Sequence, residues 1–489
     1  MNYKMLGRIV GMVLVLESVL MIPALLIACA EKNLRVIQGF GGAILIGLLV
    51  GSLLIYRSKQ AKKKFYAKEG MVCVGLCWVA MGLVGALPFF LSGKIPNYMD
   101  AFFEIVSGLT TTGASVLSDV EALGKGLLFW RSFSHWIGGM GVLVFFLAII
   151  PISGNNEGFT LHILRAESPG PSVNKMVPRM KQSAMILYIM YCVLTVLDII
   201  FLLIGRMPVF DAFCIAFGTA GTGGFAVTNA GLAGYTIFAQ NVTTVFMLLF
   251  GVNFGVYYLI ILKNFIGIIQ DEELRLYLTI VAGSILLITI NVLGKTADTM
   301  TVGTSLQQAA FQVASIVTTT GFSTTDFDLW PSLSKSILMI LMMVGACAGS
   351  TGGGLKVVRL LLLGKGIKRN SHQIFHNKEV QVIRFNGGRV GEQTMANVNS
   401  YFAAYVIIIV VSFLLVSADA GNFSLTTNFS AVMATFNNIG PGFDSVGATR
   451  NFAEYSVLSK GILSLDMLLG RLEIFPIFAL FMPSTYQRK

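Results

Sequence analysis

The chain has 489 residues, of which 55% are hydrophobic and only 12% charged, and its mean hydropathy is +0.76. That balance excludes a soluble globular enzyme and fits a polytopic membrane protein. The net charge of +11 does not argue for nucleic acid, because the bases collect in a few loops between apolar spans.

Residues 5–30 form an apolar run behind Lys4 and Arg8. Leu26-Ile27-Ala28-Cys29 loosely resembles a lipoprotein cleavage site. The run is nonetheless too long for a signal core and carries Glu17, so it reads as a retained span. A second span over 38–56 ends in Arg57, Lys59, Lys62, Lys63, Lys64 and Lys68. So dense a basic loop belongs on the cytoplasmic side. The N-terminus is then cytoplasmic too, residues 31–37 form an external turn, and 1–68 is a pair of transmembrane helices.

The next signal is Thr110-Thr111-Thr112-Gly113, between a short apolar run (101–109) and a long one (127–151). A re-entrant turn leaves carbonyls unpaired, and at membrane depth that is tolerated only along a water-filled path. The stretch recurs. Thr318-Thr319-Thr320-Gly321 is nearly identical, and Ala220-Gly221-Thr222-Gly223 keeps the Thr-Gly pair. Asn437-Asn438-Ile439-Gly440 is the weakest copy, with Ile439 where the others have threonine. With Gly113, Gly223, Gly321 and Gly440 as the central glycines, the period is roughly a hundred residues, the mark of an internal repeat. Phe103, Phe213 and Phe311 stand ten residues before the first three glycines, and Ser430 before the fourth.

From residue 69 the chain divides into four units, 69–182, 183–274, 275–398 and 399–489. Each reads span, half-helix, turn, span. The half-helices are 99–109, 209–218, 304–317 and 426–436. The first spans are 69–92, 183–205, 275–294 and 399–418, and the second are 127–151, 240–262, 334–363 and 457–482. Eleven helical residues rise about 16 Å, roughly half the hydrocarbon core. The predicted fold is therefore an all-α membrane protein, with four pseudo-symmetric repeats around a central pore plus the N-terminal helix pair. It crosses the membrane ten times and carries four re-entrant loops.

Charge placement agrees. Predicted inner loop 151–182 holds Arg165, Lys175, Arg179 and Lys181. Loop 356–398 holds Lys356, Arg359, Lys365, Lys368, Arg369, Lys378, Arg384 and Arg389, and the chain ends Arg488-Lys489. These basic loops form a docking face for a cytosolic protein or anionic lipid. The outer segments carry Asp119, Glu121, Asp326, Asp328 and Asp444, which can concentrate cations at a pore mouth.

No Walker lysine motif, dinucleotide fingerprint or nucleophile elbow occurs, so the chain does not read as an enzyme. The six cysteines lie in or beside apolar segments and read as small buried residues. His135 reads as a packing residue. His372 and His376 are spaced i, i+4 but lack an adjacent acidic or cysteine partner for a metal. Gly345-Ala346-Cys347-Ala348-Gly349-Ser350-Thr351-Gly352-Gly353-Gly354 interrupts the second span of the third unit. Five glycines in ten residues predict an unwound segment facing a pore, with close packing of small residues as the other reading. Arg471 stands mid-span in the fourth unit and faces the interior, either in a wet cavity or paired with Asp466 or Glu473.

These residues resemble the Trk, Ktr and HKT superfamily of potassium transporters over essentially the whole chain. The extra N-terminal pair of spans resembles the Trk-type membrane subunits, since Ktr-type subunits lack it. The resemblance implies a pseudo-fourfold pore with one filter glycine per repeat, on Gly113, Gly223, Gly321 and Gly440. Potassium would be held by the backbone of 110–113, 220–223, 318–321 and 437–440. Glycine rather than serine at 113 implies potassium over sodium. The family's gating loop maps onto 345–354, with Gly345, Gly349, Gly352, Gly353 and Gly354, and its pore arginine onto Arg471. The resemblance further implies a homodimer in the bacterial cytoplasmic membrane, on a cytosolic regulatory ring of TrkA type that binds ATP, ADP or NAD. That nucleotide belongs to the partner, and no cofactor beyond potassium is expected on this chain. Two other mechanisms stay open. One is symport of potassium with protons or sodium, with Glu104, Asp198 and Asp466 as the intramembrane acids. The other is the pore subunit of an ATP-driven potassium pump.

Overall fold

The computed structural model describes residues 1–59, 66–141, 180–376, 379, 381–419, 421 and 423–486. The expected charges Lys62, Lys63, Lys64, Arg165, Lys175, Arg179, Lys378, Arg488 and Lys489 lie outside these residues, as does the last part of span 127–151. Helix dominates the rest. The one sheet among the described residues is a hairpin pairing Arg384–Phe385 with Gly388–Arg389.

Six helices are long and apolar enough to cross a membrane: Tyr3–Ala30, Leu34–Arg57, Lys68–Leu91, Met185–Ile204, Glu272–Val292 and Glu392–Asp419. The first and second pack through small residues. A Cβ on Gly11 would meet the Gly51 carbonyl at 2.6 Å, and one on Gly51 would meet the Gly11 carbonyl at 2.8 Å. Lipid supplies little hydrophobic drive between helices, so such close approach substitutes for it. The last four spans each precede one half-helix.

The half-helices are Tyr98–Leu109, Val209–Gly221, Val302–Val317 and Leu425–Phe436. Three start at side-chain caps: Asn97 accepts from Met99 N, Thr301 from Thr304 N and Ser424 from Thr427 N. Capping satisfies N–H groups that lack partners in the helix. The two 12-residue half-helices rise about 18 Å, so their C-termini end inside a bilayer.

The second spans depart from expectation. Each was expected to run through, apart from the glycine-rich segment of the third. Instead each stops at a similar distance: Lys125–Gly139, Ile237–Phe250, Ser332–Val344 and Val457–Arg471, of 15, 14, 13 and 15 residues. The second repeat resumes at Phe254–Ile261 after an 89° bend. The third resumes at Val357–Phe375, and the fourth at Phe475–Phe481. Small residues sit at the breaks because the glycine turns press on them. A Cβ on Gly138 would overlap the Leu109 carbonyl, and one on Gly470 the Phe436 carbonyl.

Candidate functional site

The half-helices end in four copies of one turn. Thr111, Thr222, Thr319 and Asn438 are all left-handed, with φ between 56° and 59°. The next residue's N–H reaches back five residues at 2.8 Å: Thr112 to Ser107 O, Gly223 to Gly218 O, Thr320 to Ser315 O and Ile439 to Ala434 O. One residue further, φ is +80° at Gly113, +74° at Gly224, +86° at Gly321 and +97° at Gly440.

This register corrects the sequence alignment in the second repeat. Its turn glycine is Gly224, not Gly223, and the equivalent stretch is 221–224 rather than 220–223. The phenylalanine register shifts with it. Phe103 and Phe311 are buried, whereas Phe213 is 39% exposed and the buried Cys214 takes its place. Two adjacent glycines made Thr222-Gly223 look like Thr112-Gly113. The Gly-Phe pairs at 224–225 and 321–322 carry the true register.

The turns close a ring. A Cβ on Gly113 would overlap the carbonyl of Gly223, one on Gly224 that of Thr320, and one on Gly321 that of Ile439. A Cβ on Gly440 would meet the Thr112 carbonyl at 2.7 Å. First abuts second, second third, third fourth, and fourth first. Thr112, Gly223, Thr320 and Ile439 are equivalent residues, so four equivalent carbonyls stand in this ring. Glycine is required at each junction by its positive φ and by the neighbouring carbonyl.

Several polar side chains of the turns are committed to the walls. Thr110 Oγ1 donates to Val106 O at 2.7 Å and meets Thr112 Oγ1 at 2.8 Å; Thr318 makes the same pair of contacts with Ala314 O and Thr320 Oγ1. In the fourth repeat Asn437 Nδ2 donates to Met433 O, while its Oδ1 accepts from Tyr405. Asn438 Nδ2 donates to Thr112 Oγ1 at 3.0 Å and Met467 O at 2.9 Å, fastening the fourth turn to the first.

Behind the ring lies a buried ion pair. Arg131 Nε donates to Glu104 Oε1 at 2.5 Å, and the side chains are 3% and 0% exposed. Glu104 Oε2 accepts from Val116 N at 3.0 Å, just past Gly113. Glu104 is thus neutralised by a structural partner and is not a free acid for symport. Asp466 accepts from Ser412 Oγ at 2.7 Å, and Asp198 is wholly buried in Met180–Ile204. His135, read from sequence as packing, is a hydrogen-bonded brace: Nδ1 lies 2.7 Å from Gly108 O, and Phe225 N donates to Nε2 at 3.3 Å. Sequence reading passed over Arg131, although an arginine opposite a half-helix glutamate, both in apolar stretches, is a usable signal.

The glycine-rich segment is non-helical over 345–356, two residues longer than expected. It lies directly against the third and fourth turns. Gly353 N donates to Thr319 Oγ1 at 2.7 Å, and a Cβ on Gly352 or Gly353 would meet the carbonyl of Thr318 or Asn437. Cys347 N donates to Gly251 O and Phe254 N to Gly349 O, so the breaks in the second and third repeats satisfy each other's open backbone groups. Glu273 Oε1 accepts from Ala348 N at 2.6 Å, and Lys356 Nζ donates to Gly352 O at 2.6 Å.

Arg471 joins the remaining breaks. Its Nη1 donates to Thr351 O at 2.7 Å and its Nη2 to Gly138 O and Gly139 O at 2.5 and 2.6 Å. Of the two acids considered for it, Glu473 pairs instead with Arg359, whose guanidinium also lies 3.9 Å over the Tyr401 ring.

The outer acids tie loops together. Asn229 Nδ2 donates to Asp119 at 2.8 Å and Asn229 N to Glu121 at 3.0 Å, joining the first and second repeats. Asp444 N donates to Asp328 at 3.1 Å, joining the third and fourth. Hydroxyls of Ser424 and Thr427 hold Asp444 below the ordinary carboxylate range, so it stays charged; burial pushes Asp328 up. At the far end, the His372 and His376 rings stack 4.3 Å apart, and Glu379 comes within 3.7 Å of His372. No cluster of three potential metal ligands occurs among the described residues.

A family model described as TrkH, cation transport protein, matches residues 37–488. The chain belongs to the TrkH family. Among TrkH relatives, the chain is 36% identical to the Trk system potassium uptake protein TrkH of Salmonella typhimurium. It is 34% identical to that of Escherichia coli K12, with both chains covered completely in each case. The crystal structure of the potassium transporter TrkH from Vibrio parahaemolyticus matches with a TM-score of 0.87 at 32% identity over the whole of both chains. The four-repeat helical fold is therefore that of a TrkH protein. Membership places the chain among multi-pass membrane transport proteins rather than enzymes.

Proposed function

We propose that this chain is a potassium-selective, channel-like uptake protein of the cytoplasmic membrane. Its filter is the ring at 110–113, 221–224, 318–321 and 437–440, and its gate is segment 345–356 with Arg471. The observation that carries the reading is the closed ring, in which four equivalent carbonyls stand at glycine junctions. Carbonyl dipoles replace the hydration shell of a monovalent cation yet let it leave. The relatives' names, potassium uptake protein, support the choice of ion. The Arg131 partner of Glu104 removes that acid from the symport reading, which then rests on Asp198 and Asp466.

The test is potassium flux into liposomes holding the purified chain, with and without a proton gradient. Flux set by the potassium gradient alone is expected. Strict dependence on a proton or sodium gradient would replace the channel reading with symport.

The protein functions, on this reading, as a homodimer with a cytosolic nucleotide-binding ring of TrkA type, both termini facing the cytoplasm. The helix Val357–Phe375 connects the gate to that side. Arg369 is engaged by Glu392 at 2.5 Å, while Lys368 is exposed. Lys368→Glu is therefore expected to weaken pull-down of the ring more than Arg369→Glu. Equal retention of the ring by both variants would move the interface elsewhere.

A further inference from the structure

Each turn's outer limb, the residues just past its glycine, must be held from behind for the ring to keep its width. Three repeats do this from their own half-helix. In the first, Glu104 accepts from Val116 N and Ser115 Oγ. In the third, Ser315 Oγ donates to Phe322 O at 2.5 Å. In the fourth, Ser430 Oγ accepts from Phe443 N at 2.9 Å.

The second repeat differs. Among the described residues, no side chain of Val209–Gly221 hydrogen-bonds residues 225–226. Gly218 stands where the third repeat has Ser315, by the five-residue return bonds that end at each. Two side chains of the first repeat do the holding instead. His135 Nε2 accepts from Phe225 N at 3.3 Å. Arg131 Nη1 donates to Ala226 O at 3.2 Å, with its guanidinium 3.7 Å over the Phe225 ring. His135 is anchored in turn by Gly108 O, and Arg131 by Glu104.

The unusual Gly223-Gly224 pair now has a physical account. Gly224 carries the positive φ common to all four turns. Gly223 occupies the position of Thr112 and Thr320, and a Cβ there would overlap the imidazole of His135. The missing side chain makes room for the brace.

We infer that His135 and Arg131 are positioning residues that hold the second turn from the first repeat and thereby set potassium-over-sodium discrimination at that quarter of the ring. The inference rests on the filter reading above. The bonding requires a neutral imidazole, with Nδ1–H donating to Gly108 O and Nε2 free to accept from Phe225 N. Without the brace, the second turn can move toward or away from the centre. A wider ring coordinates potassium less well and loses the advantage over hydrated sodium.

The test compares potassium and sodium flux in liposomes for His135→Ala, His135→Gln, Arg131→Lys and Gly321→Ser. His135→Ala is expected to lower the potassium-to-sodium flux ratio at least tenfold while total cation flux persists. His135→Gln, which keeps a donor and an acceptor, should recover part of the ratio. Arg131→Lys keeps the charge opposite Glu104 but loses the fork to Ala226, so it should lower the ratio less than His135→Ala. General destabilisation reduces both fluxes together and leaves the ratio unmoved, so the ratio separates positioning from folding. A wild-type ratio in His135→Ala overturns the inference, and Arg131→Lys decides the matter by the same criterion if the alanine variant does not fold. Gly321→Ser reports on the ring independently of the brace, since Gly321 meets the fourth turn. A lowered ratio there with unchanged brace variants overturns only the inference. An unchanged ratio in Gly321→Ser overturns the filter reading and the inference with it.

Discussion

Gly113→Ser is expected to reduce the potassium-to-sodium flux ratio by at least tenfold while leaving the helical fold and membrane insertion intact. Two effects act together. Gly113 has φ +80°, a conformation side chains resist at a cost of about 1–2 kcal/mol. The new Cβ would also fall on the Gly223 carbonyl, so the second turn or the first must shift. A tenfold change in the ratio corresponds to about 1.4 kcal/mol. The rest of the fold is insulated because the clash lies between two turns and not in the helix packing. The check is paired rubidium and sodium uptake into liposomes, with circular dichroism and gel filtration on the same preparation. A wild-type ratio in well-folded protein would remove the first turn from the filter.

Arg471→Ala is expected to raise potassium flux at least tenfold in liposomes that hold the chain without any cytosolic partner. The arginine ties segment 345–356 to the broken end of Lys125–Gly139 through three carbonyls. Each hydrogen bond to a charged group is worth about 1.5–3 kcal/mol. On the gate reading, its charge, in the layer of helix breaks next to the ring, opposes entry of a cation. Removing it weakens the latch and the barrier together. Arg471→Lys separates the two, since lysine keeps the charge but cannot span three acceptors as a planar fork does. An intermediate flux in the lysine variant assigns part of the effect to the latch. Flux at or below wild type in the alanine variant, with normal folding, would leave 345–356 as a packing motif.

The breaks in the second spans show why a pattern of apolar residues stops short of a path. Hydropathy reports whether a segment prefers lipid, and both halves of a broken span do. Ile237–Phe250 and Phe254–Ile261 are each apolar, so residues 240–262 read as one helix. The 89° bend follows from what touches Gly251-Val252-Asn253: the glycine-rich segment of another repeat, whose Cys347 N takes the freed Gly251 carbonyl. The break shows most plainly in sequence in the third repeat, where five clustered glycines lower helix propensity by themselves, and more weakly in the first, at Gly138-Gly139-Met140-Gly141.

Local chemistry by itself determined the membrane class, the four-repeat order and the half-helix limits, the last to within about three residues. Apolar run lengths and Thr-Gly turns are short-range features that need no neighbour to be recognised. It also marked Arg471 and 345–354, because an intramembrane charge and a glycine cluster are costly wherever they sit. The tertiary structure alone decided the second turn's register, since Gly223 and Gly224 are the same residue type and differ only in φ and in what faces them. It alone decided the partners of Glu104, Arg131 and His135, which lie up to 95 residues from the backbone they hold. That the outer acids also act as struts between loops shows only once Asn229 and the Asp444 amide are placed beside them. Contacts between repeats depend on how four similar units close around one axis, and no single unit carries that information.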